Sequence, residues 1–201
     1  MFTASLNVGK KPLRKASIVS LPEGAKKWNL VVAFLKLRKE VFIHELSWPL
    51  FHADQMEFEQ YDSPATRYII FHDDDKVLGG ARLLRTDWQL SRGKVKYTYM
   101  IRDAYNGLLP GLSTEICSSE PPVDSDVWEM TRFVSRDGEM VGAEIIKAGI
   151  EYLTSIKAKR CLFLSSPAFM RVGRRMGYQA TALGPIISNK DGRFLAFSCE
   201  L

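Results

Sequence analysis

Apolar residues recur at two different spacings along this chain, and the two spacings predict helices and strands in alternation. Apolar positions three or four residues apart predict helices over 28–46, 97–109, 139–157 and 168–178. Runs rich in β-branched and aromatic residues predict strands over 67–73, 76–86, 127–135, 160–166, 180–188 and 192–201. The segments 47–65 and 110–126 keep neither spacing and are predicted to be loops.

The order of these elements is typical of a single α/β domain over residues 1–201, with a mixed, twisted sheet flanked by helices. The strand, helix and strand over 127–166 form a βαβ unit, which is right-handed by rule and places two parallel strands side by side. In open sheets, ligands bind at the carboxyl ends of such strands, so we expect the functional site there. Residues 1–27 are expected to be a partly ordered N-terminal lead-in.

The loop over 47–65 (SWPLFHADQMEFEQYDSPA) is long for a compact domain. Loops of this length are usually functional or disordered. Its several aromatic residues argue against disorder, so we expect the loop to be ordered and to contribute to the functional site.

Composition and charge exclude several classes of protein. Hydrophobic residues make up 46% of the chain and charged residues 25%, as in a soluble globular protein, and no apolar run approaches the ~18 residues of a membrane span. The basic N-terminus lacks the apolar core of a secretory signal, although basicity alone would also suit a mitochondrial presequence. The net charge of +5 comes from dispersed residues without a nucleic-acid-binding motif, so nucleic-acid binding is not predicted.

The three cysteines also bear on the location of the protein and on metal binding. Cys117, Cys161 and Cys199 are far apart in the chain and have no CxxC spacing. We therefore expect no disulfide framework and no metal site, and the pattern is typical of a reducing cytoplasm.

Charged residues interrupt two of the predicted strands. The strand VWEMTRFVS sets Glu129 and Arg132 among large apolar side chains, and Arg82 shares a face with Leu84 in GGARLLR. Burying a charge without a partner is costly. The predicted first helix adds Arg38, which lies one turn from Phe42, and the long loop adds acids in EFEQYD.

Each of these stretches alone has an ordinary interpretation, such as a snorkelling arginine or a solvated acidic loop. Together they predict an ion-pair network at one end of the sheet, which is either structural or part of a polar binding site. The spacing of Glu129 and Arg132 poses a problem, because residues three apart on a regular strand point to opposite faces. Either a β-bulge turns one of them or the two serve different faces.

Five motifs in fixed order carry a resemblance to a known family. They are Arg38-x3-Phe42-x5-Trp48, MEFEQYD, GGARLLRT, YMIRDAY and WEMTRF. This pattern, from about Leu37 to Phe133, resembles the acyl-homoserine-lactone synthases of the LuxI type, which make quorum-sensing signals. One position departs from the family, which commonly has Asp where this chain has Glu59.

The resemblance implies a GNAT-like acyltransferase that needs no cofactor. Its substrates are S-adenosylmethionine (SAM) and an acyl thioester carried on acyl carrier protein or coenzyme A. The products are an N-acyl-homoserine lactone, 5′-methylthioadenosine and the free thiol. The alternatives are another GNAT-type N-acyltransferase that acylates an amine or amino acid, and a catalytically silent binding module.

The resemblance and the chemistry of the reaction assign roles to particular residues. Glu129 is the candidate general base, and the catalytic set is Glu129, Arg132, Asp62 and Arg82. The substrate-binding set is Arg38, Phe42, Trp48, Glu59, Thr131 and Phe133. The acyl channel is expected at Met140, Val141, Ile145, Leu162 and Leu164. Because acyl carrier protein is acidic, the expected docking residues are Lys147, Arg171, Arg174 and Arg175.

Overall fold

The computed structural model describes residues 14–74, 76–136 and 138–201. Its strands are β1 Arg14–Val19, β2 His52–Ala53, β3 Met56–Glu57, β4 Arg67–Asp73, β5 Lys76–Arg85, β6 Leu90–Arg92, β7 Val95–Tyr97, β8 Val127–Ser135, β9 Arg160–Ser165, β10 Ala180–Ala182, β11 Ile187–Asn189 and β12 Gly192–Glu200. Its α-helices are α1 Trp28–Arg38, α2 Met100–Tyr105, α3 Gly138–Ser155 and α4 Pro167–Arg175.

Most strands join one mixed sheet, which has the order β1-β4-β5-β8-β9-β12-β10, and β11 pairs with β12. Among the described strands of this sheet only β8 and β9 run parallel, and α3 connects them. The predicted βαβ unit over 127–166 is therefore confirmed. No helix in the described ranges is long and apolar enough to cross a membrane.

The parallel pair separates at its carboxyl end. The last paired residues are Met130 and Phe163, but β8 continues to Ser135 and β9 to Ser165. The two strands therefore diverge and leave a cleft at the edge where ligands were expected to bind.

The helices cover both faces of the sheet. On one face α3 and α4 pack on an apolar cluster that includes Ile69, Leu83 and Met130. On the other face α1 packs on Tyr68, Ile70 and Val134, while α2 belongs to a third cluster. Side chains on β8 alternate between the faces from Val127 to Thr131, as the period of a strand requires.

Several predicted boundaries were wrong for identifiable reasons. The helix predicted over 28–46 is α-helical only to Arg38 and continues as a wider π-helix over Lys39–Glu45. The helix predicted over 97–109 is shortened to α2, and Gly107, with a φ of 73°, lies just past its end. The strand predicted over 180–188 divides into β10 and β11 around Gly184-Pro185, because proline cannot donate to the ladder.

Part of the N-terminal lead-in predicted over residues 1–27 is ordered. Residues 1–13 lie outside the described part of the chain, but Arg14–Val19 form the edge strand β1 against β4. The long loop, in turn, contains the short β2–β3 hairpin.

Candidate active site

Six charged residues, five of them buried and Glu59 slightly exposed, form a closed ring of ion pairs on the α1 face of the sheet. Three arginines come from α1, β5 and β8, and three acids come from β3 and the loop after it. The members of this charge ring are Arg38, Glu57, Arg132, Glu59, Arg82 and Asp62. Each acid bridges two arginines, so the signs alternate around the ring.

Arg38 is fully buried and bonds two acids of the ring. Its two terminal nitrogens donate to the two oxygens of Asp62, at 2.8 and 2.9 Å, in the fork geometry that suits a carboxylate. Its Nε donates to Glu57. The hydroxyl of Tyr68 donates to Asp62 Oδ1 at 3.1 Å, so Asp62 is held by an arginine fork and a phenol.

The other two arginines complete the ring. Arg82 Nη2 lies 2.8 Å from Glu59 Oε1, and Nη1 lies 3.3 Å from Asp62 Oδ2. Arg132 Nε lies 3.2 Å from Glu57 Oε1, and Nη2 lies 2.7 Å from Glu59 Oε2. Each carboxylate oxygen of Glu59 thus pairs with a different arginine. The side chain of glutamate is one methylene longer than that of aspartate, which allows it to reach both.

The arginines keep Asp62 and Glu59 ionised in spite of burial. Burial alone would raise the pKa of Asp62, but Arg38 and Arg82 outweigh it and hold that pKa well below its usual range. The pKa of Glu59 is likewise lowered, because Arg132 and Arg82 outweigh the effect of burial. The predicted ion-pair network therefore exists as a set of balanced, desolvated charges.

A β-bulge makes the ring possible. The pairing of β5 and β8 steps from Gly80 with Val134 to Arg82 with Thr131, so two residues of β8 face one of β5. Arg132 lies in this bulge with a φ of 53°. The extra residue turns its side chain to the face that carries Arg82. Of the two alternatives left open by the sequence, the bulge is the one found.

Glu129 does not belong to the charge ring. Its carboxylate is fully buried and accepts the backbone N–H groups of Met100, at 3.1 Å, and Ile101, at 2.8 Å, in the first turn of α2. Burial raises its pKa to about 7, although the N–H of Ile101 and the charge of Arg82 oppose the rise. Glu129 therefore holds the start of α2, and its pKa is close to neutral pH.

A second buried carboxylate, Asp103, was not predicted as part of the site. It accepts the hydroxyl of Tyr61 at 2.7 Å, and it accepts both the N–H and the hydroxyl of Thr98. Asp103 thereby ties the acidic loop to α2. In the sequence, Asp103 is an acid on the buried side of a short apolar helix. This signal is weak on its own.

A cavity of about 820 Å³ opens where β8 and β9 diverge. Seven of the predicted site residues line it, namely Phe42, Trp48, Glu59, Thr131, Arg132, Phe133 and Leu164. The rings of Phe42 and Trp48 stack at 5.2 Å with an interplanar angle of 2°. The guanidinium carbon of Arg132 lies 5.7 Å from the centre of the Phe42 ring.

Further residues of the cavity were missed by sequence reasoning. Met100 lines it, and so does Phe194, whose ring meets Trp48 edge-on at 6.0 Å. Arg132 Nη1 contacts the sulfur of Met100 at 3.7 Å. Neither residue is charged, and apolar residues at these positions are expected in any core.

Other predicted residues do not line the cavity. Arg38, Asp62 and Arg82 lie behind it in the charge ring. The predicted acyl channel needs correction, because Val141 and Ile145 are buried in the core between α3 and the sheet, and Leu162 packs in the α2 cluster. Met140 is 76% exposed on α3.

The four predicted docking residues are all exposed on α3 and α4. Lys147 lies 3.9 Å from Glu151, and Arg174 donates to the carbonyl of Ala180 at 2.8 Å. Across the described ranges, no group of His, Cys, Asp and Glu is arranged to hold a metal ion.

Comparison with known proteins agrees with this geometry. The acyl-homoserine-lactone synthase of Pseudomonas aeruginosa is 29% identical over 168 residues, which cover 81% of this chain and 75% of that protein. The solved structure of BjaI, a CoA-dependent acyl-homoserine lactone synthase with SAM and isopentyl-CoA, has a TM-score of 0.77 at 17% identity and covers 93% of this chain and 83% of that one. A putative N-acetyltransferase from Lactobacillus plantarum has a TM-score of 0.57 at 19% identity, covering 94% of this chain and 98% of that one.

These likenesses confirm the predicted GNAT-like α/β fold, with its mixed sheet flanked by helices. A family model described as autoinducer synthase matches residues 26–200, which is most of the sequence. The chain therefore belongs to the autoinducer synthase family.

Proposed function

We propose that this protein is an acyl-homoserine-lactone synthase. It transfers an acyl group from a thioester to the α-amine of SAM, closes the lactone and releases 5′-methylthioadenosine, making a quorum-sensing signal. The observation that carries the proposal is that the charge ring opens into the cavity through Glu59 and Arg132, beside the stacked Phe42 and Trp48. Membership of the autoinducer synthase family supports it.

The cavity suits the charges that SAM carries. Arg132 Nη1 contacts only the weakly accepting sulfur of Met100 within the described ranges, so it can donate to the substrate carboxylate. Glu59 can attract the α-ammonium. The stacked Phe42 and Trp48 offer aromatic faces for the adenine ring and for the sulfonium cation.

Lactone closure is then mainly a matter of position. The carboxylate of SAM must attack its own γ-carbon, and the C–S bond to the sulfonium breaks as 5′-methylthioadenosine leaves. Holding the carboxylate at Arg132 fixes one reacting group, and the aromatic stack fixes the leaving group. Such positioning can supply a large part of the rate.

Amide formation requires a neutral amine. We propose that Glu129 accepts the amine proton through a water molecule, since its neighbours Met100 and Thr131 line the cavity and its pKa is about 7. The amine nitrogen then bonds to the thioester carbon, and the carbon–sulfur bond breaks. Arg82 and Asp62 act indirectly, because Arg82 holds Glu59 and Thr131 in place and is itself paired with Asp62.

The acyl donor is proposed to reach the cleft between β8 and β9 on the arm of acyl carrier protein or coenzyme A. The complex of BjaI with isopentyl-CoA supports coenzyme A. The exposed arginines on α4 support an acidic carrier protein. We further propose a cytoplasmic location, which is supported by the three buried cysteines being free thiols.

One assay tests the function directly. The purified protein is incubated with SAM and a series of acyl carrier protein and coenzyme A thioesters, and 5′-methylthioadenosine and lactone are measured by mass spectrometry. We expect both products in equal amounts. Absence of 5′-methylthioadenosine with every donor would overturn the proposal, and acylation of a different amine would favour another GNAT-type N-acyltransferase.

The docking surface gives a separate prediction. Reversing two exposed charges of α4, in Arg171→Glu with Arg175→Glu, should raise KM for an acyl carrier protein donor roughly tenfold, because the carrier is acidic. KM for the same acyl group on coenzyme A should change little. Arg92→Glu, on the exposed β6–β7 hairpin, is the matched control. Equal changes with both donors would contradict docking at α4.

A further inference from the structure

The apolar side of the cavity is closed by three phenylalanine rings, which we call the aromatic wall. Phe133 comes from β8, Phe163 from β9 and Phe169 from α4, and all three line the cavity. The rings of Phe133 and Phe169 lie 4.8 Å apart at 64°, and those of Phe163 and Phe169 lie 6.0 Å apart at 49°. These are the edge-to-face and tilted contacts that aromatic rings prefer, so the three rings form one continuous surface.

The aromatic wall separates the cavity from helix α3. A Cβ placed on Gly142 would lie 3.5 Å from Phe133 Cζ, so the ring rests directly on the backbone of this helix. Val141 and Ile145, on either side of Gly142 in the helix, are buried in the core and do not line the cavity. The space that the sequence suggested as an acyl channel is therefore filled by packed side chains beyond the wall.

The β-bulge that builds the charge ring also builds the aromatic wall. Without the extra residue at Arg132, the alternation of β8 would turn Phe133 to the α1 face. With the bulge, Arg132 joins the charge ring while Phe133 packs with the cluster of α3 and α4. One local irregularity thus fixes both the charged side and the apolar limit of the same cavity.

We propose that the aromatic wall limits the acyl group to short chains. The inference rests on the proposed function and names the class of its second substrate. The charged residues Glu59 and Arg132 occupy one side of the cavity, so the acyl chain must lie on the apolar side, where its methyl end meets Phe133 and Phe169. The same cavity must also hold SAM and the end of the donor arm, so the acyl chain shares its space with both.

Truncation of the wall tests this inference. In Phe133→Ala the removed ring leaves space toward Gly142, and in Phe169→Ala it leaves space beside Phe133 and Phe163. We expect the ratio of kcat/KM for dodecanoyl over hexanoyl donors to rise at least roughly tenfold, since contacts of a single methylene already change discrimination by about that factor. Phe71→Ala is the matched control, because Phe71 is buried in the same apolar cluster but does not line the cavity.

The outcomes separate this inference from the proposed function. Two results would overturn the aromatic wall as a length limit: a wild-type protein that prefers dodecanoyl donors, or an unchanged ratio in folded Phe169→Ala. Phe133 and Phe169 are both only partly buried, and the thermal transition of each variant shows whether it folds. Absence of lactone from the wild-type protein with every donor would instead contradict the proposed function.

Discussion

Asp62→Asn should lower the free energy of unfolding by about 3–5 kcal/mol, because removing one partner of a buried ion pair leaves an uncompensated charge. Asp62 is bonded to Arg38 and lies 3.3 Å from Arg82 Nη1, and both arginines are fully buried. An asparagine keeps the size of the side chain but removes one of three negative charges from the ring. Urea unfolding of the variant and the wild-type protein measures the difference.

The chain offers a matched control for this experiment. Asp87 pairs with Arg85 at 2.5 Å, but the arginine side chain is 51% exposed. Asp87→Asn should therefore change the free energy of unfolding by less than about 1 kcal/mol. If Asp62→Asn and Asp87→Asn changed the free energy of unfolding by the same small amount, the charge ring would not be a desolvated network, and the electrostatic account of the site would be wrong.

Glu129→Gln should lower kcat by roughly 10²–10⁴-fold, the usual contribution of a positioned proton acceptor. A base must be deprotonated to act, and the pKa of Glu129 is about 7. In the wild-type protein the rate should therefore rise with pH through about 7 and level off above it. In Glu129→Gln this rise should be absent. Measuring kcat of the variant and of the wild-type protein from acid to alkaline pH tests this.

The pH profile distinguishes a base from a positioning residue. Glu129 also holds α2 through two N–H bonds, and glutamine can accept only at its single amide oxygen, so a loss of rate alone has two explanations. Asp103→Asn is the control, because it loosens the same helix without removing the carboxylate of Glu129. We expect it to lower the rate while keeping the rise, which should move to lower pH because the charge of Asp103 helps to raise the pKa of Glu129. If Glu129→Gln also kept that rise, Glu129 would be a positioning residue only.

The sequence predicted the charge ring for a physical reason. A carboxylate and guanidinium groups on otherwise apolar strands need partners, and the long loop supplies several acids. That argument brought Arg38, Arg82, Arg132, Glu59 and Asp62 together before any geometry was known. The same argument placed Glu129 in the ion-pair network, where it does not belong. The N–H groups at the start of a helix can satisfy a buried carboxylate as well as an arginine can.

The acyl channel could not be predicted in the same way. Periodicity shows which side chains are buried, but a cavity and a packed core have the same apolar lining. The distinction depends on where β8 and β9 separate and on which way Phe133 points after the bulge. A strand period cannot reveal a single inserted residue, so Val141 and Ile145 were assigned to the channel and Phe169 was missed.

The edge strand β1 illustrates a second limit of prediction from sequence pattern. Its sequence RKASIV begins with basic residues, and its first three positions are exposed. Only pairing with β4 makes it a strand. Local pattern is a poor guide where half of an element faces solvent and the other half is defined by a distant neighbour.

The closed form of the charge ring constrains how related sequences can diverge. Since each member has two opposite neighbours, no single position can change its charge independently of the rest. After one acid has been lost, loss of an adjacent arginine becomes compensatory rather than harmful, because the two effects are strongly coupled. We therefore expect divergence at these six positions to proceed through exchanges of neighbouring pairs, in an order that keeps the intermediates folded.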